Sequence, residues 1–292
     1  IFVIIVTINK NFFKRESLMK LKLLAATIIT LSFTSGVYAK AGTGFYTSIK
    51  SGVSDINFED NTAAFIDGES SPISGEGYVG TETFSYTEAL KHKDSDNSEP
   101  MVAVALGFDF SNMSPVNARA ELEYTYKGKT SFNPGFTSVT ETYQNSYSVV
   151  EGSNTYTGNN TQSNTYSVDE PGFITNELRI HQLMLNGYYD FKNTSKFTPY
   201  LSAGVGVTHL KNKVSFDDVS ETDSDNNFTW SVGAGVAYKV ISNVSLDIGY
   251  RYVDAGDFEF SKTMSDESLT RTFKSTADLS SHDYTVGIRY NF

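Results

Sequence analysis

Thr285-Val286-Gly287-Ile288-Arg289-Tyr290-Asn291-Phe292 is the stretch whose reading decides the fold. Apolar and polar residues alternate through it. With the two residues before it, Tyr284, Val286, Ile288, Tyr290 and Phe292 fall on one face of a strand, and Asp283, Thr285, Gly287, Arg289 and Asn291 on the other. A soluble edge strand is one reading. The termini of soluble domains are usually exposed and frayed, however, and this strand runs to a terminal aromatic. A closed membrane barrel needs its last strand zipped to its first, because lipid offers no partner to an open backbone edge.

Reading outward from that strand, period-two alternation gives eight segments, at about 44–52, 101–110, 117–127, 180–191, 198–210, 228–240, 244–252 and 283–292. Each is near the roughly 9–11 residues that a tilted strand needs to cross a bilayer. The connections alternate in length: short at 111–116, 192–197 and 241–243, long at the other end. That is the pattern of short periplasmic turns and long outer loops. The polar faces carry small residues such as Ser202, Gly204, Gly206, Ser231, Gly233, Gly235 and Gly249. These suit a narrow barrel interior and serve no purpose on a solvated face. Aromatics stand at both ends of the apolar stripes: Phe45, Phe110, Phe191, Tyr238, Tyr290 and Phe292 beside the short turns, and Tyr124, Tyr126, Trp230, Tyr250, Tyr252 and Tyr284 beside the long loops. Such belts match the two water–lipid interfaces. The expected fold is all-β: an eight-stranded antiparallel up-and-down transmembrane β-barrel with four long extracellular loops.

The segment 19–39 reads as a secretory signal: Met19, the basic Lys20 and Lys22, an apolar run from Leu23 to Phe33, and Val37-Tyr38-Ala39 as a small-x-small cleavage site. Residues 1–18 read as translated upstream sequence or an over-called start, and 40–292 as the barrel domain. No later apolar run approaches the ~20 residues of a transmembrane helix. The chain has no cysteine, so its stability comes from packing and hydrogen-bond closure rather than disulfides. Its net charge of -11 argues against nucleic acid as a partner.

The C-terminal strand resembles the terminal signature of bacterial outer-membrane β-barrels, with Thr285, Gly287, Tyr290 and Phe292 in the signature places. The segments Asn186-Gly187-Tyr188-Tyr189-Asp190-Phe191, Thr198-Pro199-Tyr200-Leu201-Ser202-Ala203-Gly204-Val205-Gly206 and Leu246-Asp247-Ile248-Gly249-Tyr250-Arg251-Tyr252 look like those of opacity-protein and surface-antigen barrels, relatives of the OmpA membrane domain and OmpX. The likeness covers the strands and not the loops. It implies eight strands, variable loops that contact host surfaces, and an assembly signal in Gly287, Tyr290 and Phe292 that the barrel-assembly machinery reads.

On the polar faces stand Arg119, Glu121, Glu123 and Lys127, with Lys239, Asp247, Arg251 and Arg289. They read as a lumen charge network, in preference to catalytic carboxylates at Glu121 and Glu123, since buried charges need partners. Register across the tight turns is expected to set Lys239 opposite Asp247 and Asp109 opposite Arg119. His209, His282 and Asp283 lie near the loop-side rim, but no His-x-Ser motif accompanies them as an outer-membrane hydrolase would require. Asp223, Asp225 and Asn227 resemble the start of a calcium loop without its turn glycine or closing glutamate. No metal or cofactor is expected. Loop 1 (53–100) is acidic, and loop 2 (128–176) is rich in Ser, Thr, Asn and Tyr, a binding-surface composition. Val139–Val149 alternates and reads as an extension of strands 3 and 4 above the membrane; entry into it would make ten strands. The expected role is a surface antigen that presents its loops to a host or neighbouring surface, with outer-membrane lipid and a host-surface receptor as partners. A structural barrel, a small pore and a rim enzyme are the alternatives.

Overall fold

The structure, a computed structural model, describes residues 44–292 other than 114, 134, 173, 217, 218, 267 and 268. The expected upstream and signal segments lie outside the described residues. Eleven strands form one antiparallel sheet: β1 (Phe45–Gly75), β2 (Tyr78–His92), β3 (Ser95–Asp109), β4 (Ala118–Phe132), β5 (Phe136–Glu151), β6 (Asn154–Glu170), β7 (Thr175–Asp190), β8 (Phe197–Phe216), β9 (Val219–Ile241), β10 (Val244–Asp266) and β11 (Leu269–Asn291).

Hydrogen-bonded neighbours run β11-β10-β9-β8-β7-β4-β3-β1-β2-β5-β6, and β11 also pairs with β1. The pairing from β1 through β3, β4 and β7 to β11 therefore returns to its start, while β2, β5 and β6 lie outside this circuit. The closing seam is long, from Tyr46↔Asn291 to Glu69↔Leu269, and Phe292 donates its N–H to the Phe45 carbonyl at 3.0 Å. The change of neighbour happens inside β1. Up to Phe58 it pairs with β3, and from Thr62 it pairs with β2. Between them it bulges, and Asp60 takes φ 45°, a left-handed value that Asp tolerates better than most residues.

Side-chain direction follows the alternation, turned inside out relative to a soluble barrel. Ile49, Val102, Leu185, Leu201, Ile248, Val286 and Ile288 are exposed. Ser48, Glu121, Glu123, Thr125, Asn186, Thr229, Ser231 and Asp283 are buried. The interior is narrow enough that tyrosine rings need glycine opposite them. A Cβ on Gly107 would collide with the Tyr46 ring, and one on Gly235 with the Tyr200 ring. At the short-turn end, the exposed rings of Phe45 and Tyr290 pack edge to face on the half-buried rings of Phe108 and Phe292. Towards the other end, Trp230 meets Tyr252 and Tyr250 meets Tyr284.

Two features depart from the sequence reading. The segments expected as loops 1 and 2 are mostly strand, so the described residues form eleven strands where eight segments were expected. The alternation over Val139–Val149 does not continue the pairing of β4 with β7. It forms β5, which crosses to pair with β2 and β6. The physical reason is that an aliphatic stripe is a requirement for crossing lipid and not for forming a strand; Thr and Tyr favour strands with both faces wet. Secondly, beyond the polar interior lies an apolar core, where Ile56, Phe58, Phe136, Leu178, Leu210 and Phe260 are all buried in one cluster. Inward positions thus switch from charged to aliphatic on passing away from the short turns.

Candidate functional site

Inside the circuit, β1, β4, β10 and β11 each point charged side chains to one centre. Lys50 on β1 bridges Glu121 and Glu123 on β4. Arg251 on β10 donates to Glu123 Oε1 at 2.7 Å and to Asp283 Oδ2 on β11 at 3.0 Å. Lys127 on β4 donates to Asp283 Oδ1 at 2.8 Å, and Ser54 donates to the same oxygen at 2.6 Å. Three cations thus meet three carboxylates. Nearer the short turns, Arg119 grips Asp190 with two bonds, of 2.8 and 2.9 Å, and its guanidinium lies 4.4 Å from the Tyr188 ring centre. Arg289 stands 3.6 Å from Asp247. Removing one partner from such a cluster is costly because the other is left charged and dry. The cavity between Lys50, Glu123, Tyr188, Tyr200 and Arg251 is about 40 Å³, room for little more than a water molecule.

Of the charged residues singled out in the sequence, Arg119, Glu121, Glu123, Lys127, Asp247, Arg251 and Arg289 take part in these contacts. Lys239 does not: it is exposed and stands opposite Ser245, while Asp247 stands opposite Ala237. The turn is one residue tighter than expected, with Ile241 opposite Val244, and the register shift between Val244 and Ser245 adds one residue more. Asp109 does stand opposite Arg119, but the guanidinium turns sideways to Asp190. The sequence reading passed over Lys50 and Asp190 and placed Asp283 at a rim. All three were findable by parity, since each alternates with outward apolar or aromatic residues of its strand, Lys50 with Ile49, Asp190 with Tyr189 and Asp283 with Tyr284. Gly287 and Tyr290 lie in β11, opposite Lys50 and Thr47.

His181 and His209 face one another across β7 and β8, with ring centres 6.4 Å apart, while His282 stands on β11. His181 shares a 2.8 Å hydrogen bond with the Tyr124 hydroxyl, His209 one of 2.8 Å with Asn226 Oδ1, and His282 one of 2.8 Å with the Tyr250 hydroxyl. Asp283 is occupied by Lys127 and Arg251 rather than turned to His282. Asp223, Asp225 and Asn227 lie extended in β9 instead of in a turn. Among the described residues, no group of three or more His, Cys, Asp or Glu is placed to hold a metal ion.

His92, on β2 outside the circuit, is different. It is buried against the Phe136 ring, and among the described residues neither ring nitrogen has a hydrogen-bond partner. Burial pushes its pKa from 6.5 down to about 4. A histidine held neutral in the fold stabilises it above the unfolded pKa, and that stability is lost as pH falls through the window from about 6.5 to about 4. The strands outside the circuit are therefore expected to loosen over this window by roughly 3 kcal/mol at most. Hydrogen exchange of β2 and β5 amides at pH 7 and pH 4.5 checks this, after correction for the intrinsic rate. His92→Phe should flatten the response, and an equal response in that variant would locate the acid sensitivity elsewhere.

The sheet outside the circuit has two unlike faces. Across β2, β5 and β6 the register sets Tyr86 beside Tyr143, Phe84 beside Asn145 and Tyr147 beside Gly158. Phe84, Tyr86, Tyr143, Tyr147, Tyr156 and Tyr166 therefore share one face. All but Tyr86 are exposed, between 41% and 51%. The opposite face is a ladder of hydroxyls, with Thr140 to Thr165 and Thr142 to Ser163 each at 3.0 Å. Exposed ion pairs such as Arg271–Asp67 and Lys93–Asp169 staple the strands at the surface, where each contributes little.

A polar, charge-matched interior within an outward apolar stripe is an arrangement for lipid surroundings. The family model for the outer membrane protein beta-barrel domain matches residues 24–292. The chain belongs to this outer-membrane β-barrel family. It is 28% identical to the outer membrane protein PagN of Salmonella typhimurium, over 97% of this chain and 100% of that protein. It is also 25% identical to a candidate adhesin of Rickettsia rickettsii, over 38% of this chain and 51% of that protein, so the match spans about half of the rickettsial relative. Among solved structures, neisserial surface protein A is similar with a TM-score of 0.39 and 16% identity, over 85% of this chain and 97% of that one. This β-barrel protein resides in the bacterial outer membrane, as its family does.

Proposed function

We propose that the closed circuit crosses the outer membrane as an eight-stranded barrel, with four outward connections, and that the sheet of β2, β5 and β6 is an adhesive surface held above it. The observation that carries the reading is the aromatic face of that sheet. Exposed tyrosines in one plane, flanked by Ser, Thr and Asn, give large contact area at low entropic cost, and exposed apolar patches mark interaction sites. A host or neighbouring surface protein is the partner; acidic polyanions fit poorly, because the chain carries a net charge of -11. The name of the rickettsial relative supports adhesion. The role is binding rather than catalysis, with outer-membrane lipid and the barrel-assembly machinery as the remaining partners and Gly287, Tyr290 and Phe292 as the signal that the latter reads.

The test is a triple variant, Phe84→Ser with Tyr143→Ser and Tyr147→Ser, in side chains whose loss leaves no cavity. Binding of cells to host cells and matrix proteins is expected to fall roughly tenfold or more, with surface amount and membrane integrity unchanged. Undiminished binding would leave a structural barrel as the better reading. The pore alternative is addressed by planar-bilayer recording on refolded protein. The ion-paired interior and the apolar core beyond it are expected to give no large, stable conductance, and a long-lived open channel would contradict this.

A further inference from the structure

β6 ends the strand order, and among the described residues it pairs only with β5. Its outer edge is therefore a row of free N–H and C=O groups. Edge strands are usually protected by charge, proline or brevity. From Asn154 to Ser167 this one has no charged residue and no proline, and it is exposed nearly throughout.

The same stretch is self-complementary. When β6 is laid antiparallel to a second β6 with a two-fold axis at Thr161, Tyr156 of each copy faces Tyr166 of the other, and Thr157 faces Thr165. Thr155 faces Ser167, Asn160 faces Gln162, and Thr161 meets itself. An axis on a residue is what two identical antiparallel edges require, because outward-pointing backbone groups then meet outward-pointing ones. The tyrosine pairs extend the aromatic face and the threonine pairs extend the hydroxyl ladder. Asp169 and Glu170 fall opposite Ser153 and Gly152, so no like charges meet. Moving the axis to Gln162 would set Tyr166 over Gly158, a place that the Tyr147 ring already fills.

We infer that β6 is a self-association edge, on which a second copy of this chain adds its own β6 to give one continuous antiparallel sheet across a two-fold axis at Thr161. The interface is isologous and closed, so it yields pairs rather than filaments. β1 carries the circuit directly into the projecting sheet, and antiparallel pairing reverses its direction. The arrangement therefore suits copies rising from two facing membranes. This rests on the reading that β6 stands outside the membrane.

The chain has no cysteine, so engineered thiols report cleanly. Facing residues of an antiparallel pair have Cα atoms about 4.5–5.5 Å apart, within disulfide range. Under mild oxidation of intact cells, Thr161→Cys should form a covalent dimer, and Tyr156→Cys alone should not. Two cell populations bearing Tyr156→Cys and Tyr166→Cys should cross-link only when mixed. Thr157→Lys with Thr161→Lys and Thr165→Lys, which set like charges opposite one another, should lower dimer yield roughly tenfold or more, while surface amount is unchanged. Thr161→Cys that is labelled by an external maleimide but stays monomeric overturns the self-association and leaves the surface reading intact. Thr161→Cys that external reagent cannot reach overturns both.

Discussion

Asp283→Leu is expected to destabilise the barrel by about 3–5 kcal/mol, the largest effect of any single substitution proposed. Asp283 is fully buried and accepts from Lys127, Arg251 and Ser54. Arg251 keeps Glu123 when Asp283 is lost. Among the described residues Lys127 keeps the Ser281 hydroxyl, at 2.6 Å, and remains a buried ammonium without a carboxylate in direct contact. The added Lys127→Met should therefore restore most of the loss, since an apolar pair can replace a buried ion pair at little cost. Urea titration of protein refolded in vesicles measures both. Equal stabilities for the single and double variants would mean that the cost lies in packing and not in charge.

Val286→Arg is the second. Val286 is exposed on β11, between the belt residues Tyr284 and Tyr290, and pairs with Ile248 on the same apolar stripe. An arginine near the middle of the lipid-facing band costs about 2–4 kcal/mol. The same change at Thr161, on the projecting sheet, should stay within about 0.5 kcal/mol, as for ordinary surface positions. The contrast between the two sites separates a lipid-facing stripe from a merely exposed one. Equal, small losses would remove the membrane assignment of this face.

Much of this was legible in the sequence, and the limits have physical causes. Strand parity along Arg119–Lys127 and Asp283–Phe292 gave inward and outward faces correctly, because a period of two in a sided sheet leaves no alternative. Residues of the charge cluster were readable by type and face, but their partners were not. Arg119 reaches sideways to Asp190 on β7 rather than across to Asp109, a choice made by side-chain reach around a closed ring. Lys239 was expected opposite Asp247 and stands opposite Ser245, because a tight turn with a bulge leaves little trace in composition. The projecting sheet was the largest omission. Its strands carry exposed aromatics on one face and hydroxyls on the other, with no aliphatic stripe, so the hydrophobic pattern that signals a buried or lipid-facing strand is absent. The bulge at Asp60 that releases β1 from β3 is visible only in the backbone.

The most direct measurement of the central claim is thiol labelling of single-cysteine variants in intact cells, with a maleimide too large to pass porins. Cysteine at Tyr143 or Thr161 in the projecting sheet should be labelled at once. Cysteine at Ser195, in the turn between β7 and β8, should react only after the outer membrane is opened, and cysteine at Val286 should stay shielded until the lipid is removed. Immediate labelling at Ser195 or Val286 in intact cells, or protection at Tyr143 and Thr161, would contradict a barrel that spans the outer membrane and holds the sheet of β2, β5 and β6 outside.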